Sequence, residues 1–358
     1  MAAPTNDNDF LSPLSLSVVC NLCTSKMQTV ADLLLLTSDT RPVNTDNVTG
    51  TVGESFSKCR DTLIAKTKGL GILSREVRIQ FFSGKFKDTA EMLYELTDLV
   101  VNIIECSGHA AYLAAISEPG SKQAVPGIID RYKISRARFD IEHCCMRLQY
   151  TPLMELSPQV VVDISTEIAK NLTTLTNASK LASDASDDPF HKEQFKLAIK
   201  SVTSCASTLL LSIRRYKVTL DESNRGRCVT FAKPLVQSCQ ALVEYATEQE
   251  HIGTPAKLCE NGHKIQTAIL GGCMSIASSC IQLVSCLRAA SLDLHNAELM
   301  QRLSLCCAAV ADGAKLLSQA LRDKSSPRTL PSNSTNSLSS NGSTNSFPNE
   351  GDTHSTCS

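Results

Sequence analysis

Cys20 and Cys23 form a C-x-x-C pair, the spacing of a dithiol couple or of half a zinc site. Zinc needs four ligands. The other close cysteines, Cys144-Cys145 and Cys306-Cys307, are adjacent and point to different faces of any helix that carries them. The pair therefore reads as structural, and no metal or cofactor is expected. Gly69 and Gly71, in KTKGLGILS, superficially resemble a phosphate loop, but the terminal Gly-Lys-Ser/Thr and a preceding strand are missing. His109 and His143 lie in helical stretches without a nucleophile motif or a carboxylate at catalytic spacing, so no enzyme is expected. Ser326-Pro327 is a candidate site for a proline-directed kinase.

Charge and apolar surface offer more than catalysis does. On a helix over 189–220, at about 100° per residue, Lys192, Lys196, Lys200, Arg214 and Lys217 fall within an arc of about 100°. This basic edge lies beside an apolar face of Phe195, Ile199, Val202, Leu209 and Ile213. Arg131, Lys133, Arg136 and Arg138 add cations on another helix of the same bundle. A solvated charged face is the plain alternative. A helix over 224–248 carries apolar residues around about half its circumference, from Tyr245 and Phe231 through Leu242 to Val236, which is wider than a bundle helix needs. Phe231, Leu242 and Tyr245 are accordingly candidates for contact with a second copy of the chain.

Apolar residues recur at helical spacing almost throughout, as in Leu93, Leu96, Val100, Ile103 and in Ile265, Ile269, Cys273, Ile276, Cys280. Sustained alternation of period two is missing, so no strands are expected. Ser12-Pro13, Ser157-Pro158, Asp188-Pro189 and Thr254-Pro255 each pair a capping side chain with a proline suited to the first helical position. Together these signals predict nine helices, over 13–36, 54–83, 85–116, 127–150, 158–183, 189–220, 224–248, 255–292 and 297–322. Two irregular segments, 118–126 and 251–254, look like hinges around a bundle of four helices. Residues 1–12 and the Ser/Asn-rich stretch 325–358 lack the apolar content to offset ordering entropy and are expected to be disordered.

The composition suits helix packing: 42% apolar, 4% aromatic and no tryptophan, which leaves Leu, Ile, Val, Ala and Cys to fill the core. A net charge of -1 supplies no global field toward nucleic acid or an anionic bilayer. No leader opens the chain and no uninterrupted apolar run reaches membrane-spanning length, so a cytosolic protein is expected, with its 16 cysteines reduced and its Asn-x-Ser/Thr triplets unmodified.

Six stretches resemble the talin rod domain-containing family, itself similar to the seventh and eighth helical bundles of the talin rod. They are KMQTVADLLLLTSDTRP (26–42), CRDTLIAKTKGLGILSREV (59–77), ECSGHAAYLAAI (105–116), EQFKLAIKSVTSCASTLLLSIR (193–214), QTAILGGCMSI (266–276) and LLSQALRDKSSPRTLP (316–331). The resemblance implies an all-α fold in which a four-helix bundle (127–252) is inserted between the third and fourth helices of a five-helix bundle (13–126 with 253–324). It also implies binding and bundling of filamentous actin by a homodimer. The nine cations named above then become candidate actin contacts, because the filament surface is acidic. An adaptor that receives leucine-aspartate helices is the alternative. The chain is too short for the membrane-binding head and terminal actin module of full-length talin, so integrin binding is not carried over and vinculin binding is not assigned.

Overall fold

The structure, a computed structural model, describes residues 12–39 and 55–325. Expectations for residues 1–11, for the tail beyond Ser325 and for Ser326 lie outside the described residues. Within them the fold is helical: α1 (Pro13–Thr37), α2 (Phe56–Phe82), α3 (Phe86–Ile116), α4 (Arg131–Tyr150), α5 (Pro158–Ala185), α6 (Pro189–Val218), α7 (Glu222–Ala246), the single turn α8 (Gln249–Ile252), α9 (Glu260–Leu292) and α10 (Ala297–Ser325). At a rise of about 1.5 Å per residue the longest, α9, extends some 50 Å.

Local chemistry starts these helices where side chains can satisfy the free N–H groups of a first turn. Ser12 accepts from Ser15 N at 3.1 Å, Ser157 from Val160 N at 3.2 Å and Asp188 from Phe190 N at 2.8 Å, each followed by its proline. Asp130 and Asp221 do the same for α4 and α7, so those helices begin at Arg131 and Glu222 rather than at Gly127 and Asn224. Thr254-Pro255 departs from the pattern. Lys122 and Lys257 exchange backbone hydrogen bonds at 2.7 and 3.0 Å, holding that segment extended, and Cys259 caps α9 instead.

The helices bury their apolar stripes in two separate cores. Leu34, Leu63, Leu96, Ile103, Cys273 and Leu317, from α1, α2, α3, α9 and α10, belong to the first; Ile141, Ile164, Phe195, Leu209, Tyr216 and Leu242, from α4 to α7, belong to the second. In the first bundle α3 and α9 pack on α1 and on each other, while α2 and α10 close the far side. In the second, α4, α5, α6 and α7 form a closed square, so α4 and α6 stand diagonally. The bundles also meet along α1 and α4, and Tyr132 of α4 is buried in the first core.

Between the bundles the outgoing and returning chain cross as a two-stranded antiparallel ribbon, β1 (Val125–Pro126) against β2 (Gly253–Thr254). No strand was expected there. Ribbons this short carry no alternation to read. A Cβ on Gly127 would overlap the His251 carbonyl and one on Gly253 the Val125 carbonyl, and Gly253 has φ +79°.

No uninterrupted apolar run was expected to reach membrane-spanning length, yet three helices, α3, α6 and α9, are long and apolar enough to cross a membrane when averaged over 18 residues. For α3 and α9, 61% and 56% of that apolar stretch is buried in this fold; for α6 the share is only 22%, which leaves an exposed outer face.

Two neighbouring glycines of α9 show how closely helices approach. A Cβ on Gly272 would lie 2.7 Å from Leu317 Cα of α10, whereas one on Gly271 would meet open space. Gly272→Ala should therefore lower stability by about 1–3 kcal/mol through overpacking, and Gly271→Ala should raise it by up to about 1 kcal/mol through helix propensity. Thermal unfolding of the two variants beside the wild type checks these opposite signs.

Candidate functional site

The outer side of α6 carries the basic edge. Lys196, Lys200, Arg214 and Lys217 are exposed and Lys192 is half-buried, its carbonyl accepting from the Ser183 hydroxyl at 3.1 Å. Lys196 meets Glu193 at 3.5 Å, but both are more than half exposed, so the pair holds the lysine only weakly. Between Lys200 and Arg214, about 21 Å apart along the helix, lie Ser204, Thr208 and Leu211, exposed and uncharged. Phe190, Leu197, Leu211 and Val218 are 52–83% exposed and sit beside the edge, so cations and apolar side chains share one outward surface.

The α4 cations do not join this surface. Their helix is diagonal to α6 and faces α1. Arg136 is paired with Asp140 and, at 3.4 Å, with Glu105 of α3, which also accepts from the Tyr132 hydroxyl at 2.6 Å. Arg138 bonds Glu142 at 3.1 Å and lies over the Phe139 ring at 4.2 Å. Arg131 lines a groove with Asp32 of α1 and Glu244 of α7, and Lys133 is half-buried. Sequence spacing treated these cations as equivalent to those on α6. Packing separates them, because α4 is the helix that seals the seam.

Of the three residues considered for a second copy, only Phe231 is exposed, at 39%. Leu242 is wholly buried in the chain's own core. Tyr245 is occupied internally: its hydroxyl and His191 Nδ1 lie 2.7 Å apart, and its ring packs on Phe195. The wide apolar band of α7 is thus largely used by its own bundle, since His191 and Phe195 of α6 cover the flank that Tyr245 presents.

The C-x-x-C pair lies within α1. Cys20 and Cys23 are both buried; burial raises both thiols, Cys23 to about 11, so neither is a thiolate at neutral pH. All fifteen described cysteines are free thiols. On the first bundle a groove of roughly 660 Å³ runs between α2 and α10. Gly71, Ile72, Ala311 and Ala314 are apolar members of its wall, with Lys68, Arg75, Lys315 and Arg322 around them, and Ile72 is 64% exposed. The glycines that resembled a phosphate loop hence form an open helix surface, which a pattern of single residues does not disclose.

Residues 129–249, which span α4 to α7, match the Talin IBS2B domain. Beyond that domain, the chain is 30% identical to talin of Oscarella pearsei over 308 residues, 86% of its length. It is 25% identical to talin-1 of Gallus gallus and to talin-2 of Homo sapiens, over 85% and 87% of its length. The chain is similar to talins over most of its length. It spans 12% of the length of each of these talins. The Talin IBS2B match begins at Ile129 and ends at Gln249, so it coincides with the second core and includes the whole of α6.

In this talin-like chain the seam between the bundles is polar at its centre. His143 of α4 is surrounded by Lys26, Arg136 and Arg147, with Asp98 in partial compensation, and burial ahead of these cations lowers it to about 3. In an unfolded chain the imidazole protonates near its ordinary pKa of about 6.5. Below that pH the unfolded state takes up the proton and the folded state does not, so stability is full above pH ~6.5 and falls as the pH drops toward about 3. The slope from one such group approaches about 1.4 kcal/mol per pH unit. His143→Gln should flatten the loss of thermal stability between pH ~7 and ~5 relative to wild type, read from melting temperatures across the series.

Proposed function

We propose that the chain is a structural, non-catalytic component of the cytoplasmic actin cytoskeleton that binds filamentous actin through the outer surface of α6 and bundles filaments as a homodimer. The observation that carries this reading is the pairing on that surface of exposed cations with exposed apolar side chains, on a helix whose apolar stretch is only 22% buried. Cations of this kind complement an acidic filament and give binding that weakens with salt. The apolar residues beside them supply contact area that survives screening. The α4 cations, on the helix diagonal to α6, are not part of the proposed surface. A monomer with one such surface holds one filament, so bundling calls for a second copy, and Phe231 on the neighbouring helix α7 is the exposed aromatic residue suited to that contact.

Actin sedimentation tests both steps. Lys196→Glu with Lys200→Glu should weaken high-speed co-sedimentation by about tenfold, an electrostatic loss of about 1.4 kcal/mol, and should reduce its salt dependence. Phe231→Glu should leave high-speed binding intact, abolish low-speed pelleting of bundles and halve the mass in solution. Undiminished binding by the charge-reversed variant would remove α6 from the filament contact.

A second reading rests on the α2–α10 groove. Its apolar wall between basic residues matches an amphipathic helix with acidic flanks, the leucine-aspartate type, which would lie alongside as a further helix. Ile72→Glu should then abolish binding of a fluorescent leucine-aspartate peptide, read by anisotropy, while leaving actin sedimentation unchanged.

A further inference from the structure

At the end of the inserted bundle, beside the ribbon, two imidazoles and two carboxylates converge. His191 lies in the first turn of α6, and Glu250 and His251 form part of α8; one ligand atom from each of the three lies within 4.8 Å of the others. Glu250 Oε1 is 3.6 Å from His191 Nε2 and 3.9 Å from His251 Nε2. Asp188, the cap of α6, brings Oδ2 to 3.5 Å from His191 Nε2, while its other oxygen accepts from Phe190 N. His251 is 2% exposed, and its Nε2 has no hydrogen-bond partner. A buried ring nitrogen left this way is costly unless something absent from the protein meets it.

The tautomer indicates what that is. His251 Nδ1 lies 3.1 Å from the Tyr245 carbonyl, an acceptor only, so Nδ1 carries the proton and the buried Nε2 offers a lone pair. Tyr245 holds the second ring too, with its hydroxyl 2.7 Å from His191 Nδ1. One residue therefore orients both imidazoles and leaves both Nε2 atoms facing Glu250, the outer support that metal-binding histidines require. Backbone geometry fixes the position further, because Ile129 N donates to the His251 carbonyl at 3.0 Å across the glycine crossing.

We propose that His191, His251 and Glu250, with Asp188 or water as the fourth ligand, bind one divalent zinc-type ion. Two imidazole nitrogens and carboxylate oxygens are borderline-soft donors suited to tetrahedral zinc. Bonds of about 2.0–2.1 Å place tetrahedral ligand atoms about 3.3 Å apart. The carboxylate–imidazole separations of 3.5–3.9 Å contract to that value by movement of the Asp188 and Glu250 side chains, which are 52% and 54% exposed, and the two imidazole ligand atoms, within 4.8 Å of each other, approach by rotation of the half-buried His191. Those two side chains also leave the site open to solvent on one side, with His251 at its base. Binding displaces any proton on His191 Nε2 and requires no redox partner. The ion ties the start of α6 to α8 and so staples the inserted bundle at the point where the chain returns to the first bundle. This site is independent of the actin reading.

Metal-stripped full-length protein, kept reduced, is titrated with Zn²⁺ by calorimetry and with Co²⁺ by absorption spectroscopy. The expected result is one Zn²⁺ per chain, a Co²⁺ spectrum with visible ligand-field bands and no thiolate charge transfer, and a melting temperature raised by Zn²⁺. Glu250→Gln and His191→Gln, which alter partly exposed positions, should each weaken binding by at least about tenfold and lose the rise in melting temperature while remaining folded by circular dichroism. Absence of zinc binding, a thiolate-dominated Co²⁺ spectrum, or affinity unchanged in both variants would overturn the proposal.

Discussion

The architecture depends on one backbone crossing. A bundle can be inserted into another only if the chain leaves and returns at nearly the same place, and here the two connections run antiparallel in contact. The strands are mostly exposed, and their peptide groups pair with one another. Pairing of Val125–Pro126 with Gly253–Thr254, extended by the Lys122–Lys257 bridge, satisfies them. The strands come so close that only hydrogen fits at Gly127 and Gly253. Both cores can then close independently, because neither has to accommodate a long loop.

Packing of the inserted bundle against its host decides which charges remain available. α4 lies along α1, and two of its arginines, Arg136 and Arg138, are paired with Glu105, Asp140 and Glu142 at or near the seam. α6, at the opposite corner, packs on α5 and α7, and its Lys196, Lys200, Arg214 and Lys217 stay in solvent with exposed apolar neighbours. Electrostatic balance in the seam is achieved around a neutral histidine, His143, rather than a charged one. The same division explains α7: half of its circumference is apolar, but His191 and Phe195 cover the edge that Tyr245 would otherwise expose.

Much of the helical order was legible in the chain itself. Three of the four Ser/Asp/Thr-Pro signals mark true helix starts, because a capping hydrogen bond involves residues only two or three apart and needs no tertiary partner. The fourth, Thr254-Pro255, was misleading because a partner more than a hundred residues away claims that backbone for the ribbon. The roles of neighbouring Gly271 and Gly272 were equally opaque, since what distinguishes them is the approach of Leu317 from α10.

Helical periodicity, capping chemistry and the talin-like stretches determined by themselves the fold class and which residues lie on a given side of each helix, for these are short-range consequences of about 3.6 residues per turn. Tertiary structure alone decided which of those sides meets solvent. It placed Arg136 and Arg138 in side-chain pairs along the helix that closes the seam while leaving Lys200 and Lys217 outside, buried Leu242, and brought His191 to Glu250 and His251 across some sixty residues of chain. The physical reason is that burial and proximity between distant residues depend on which helices are neighbours, a property of bundle topology that no local pattern encodes.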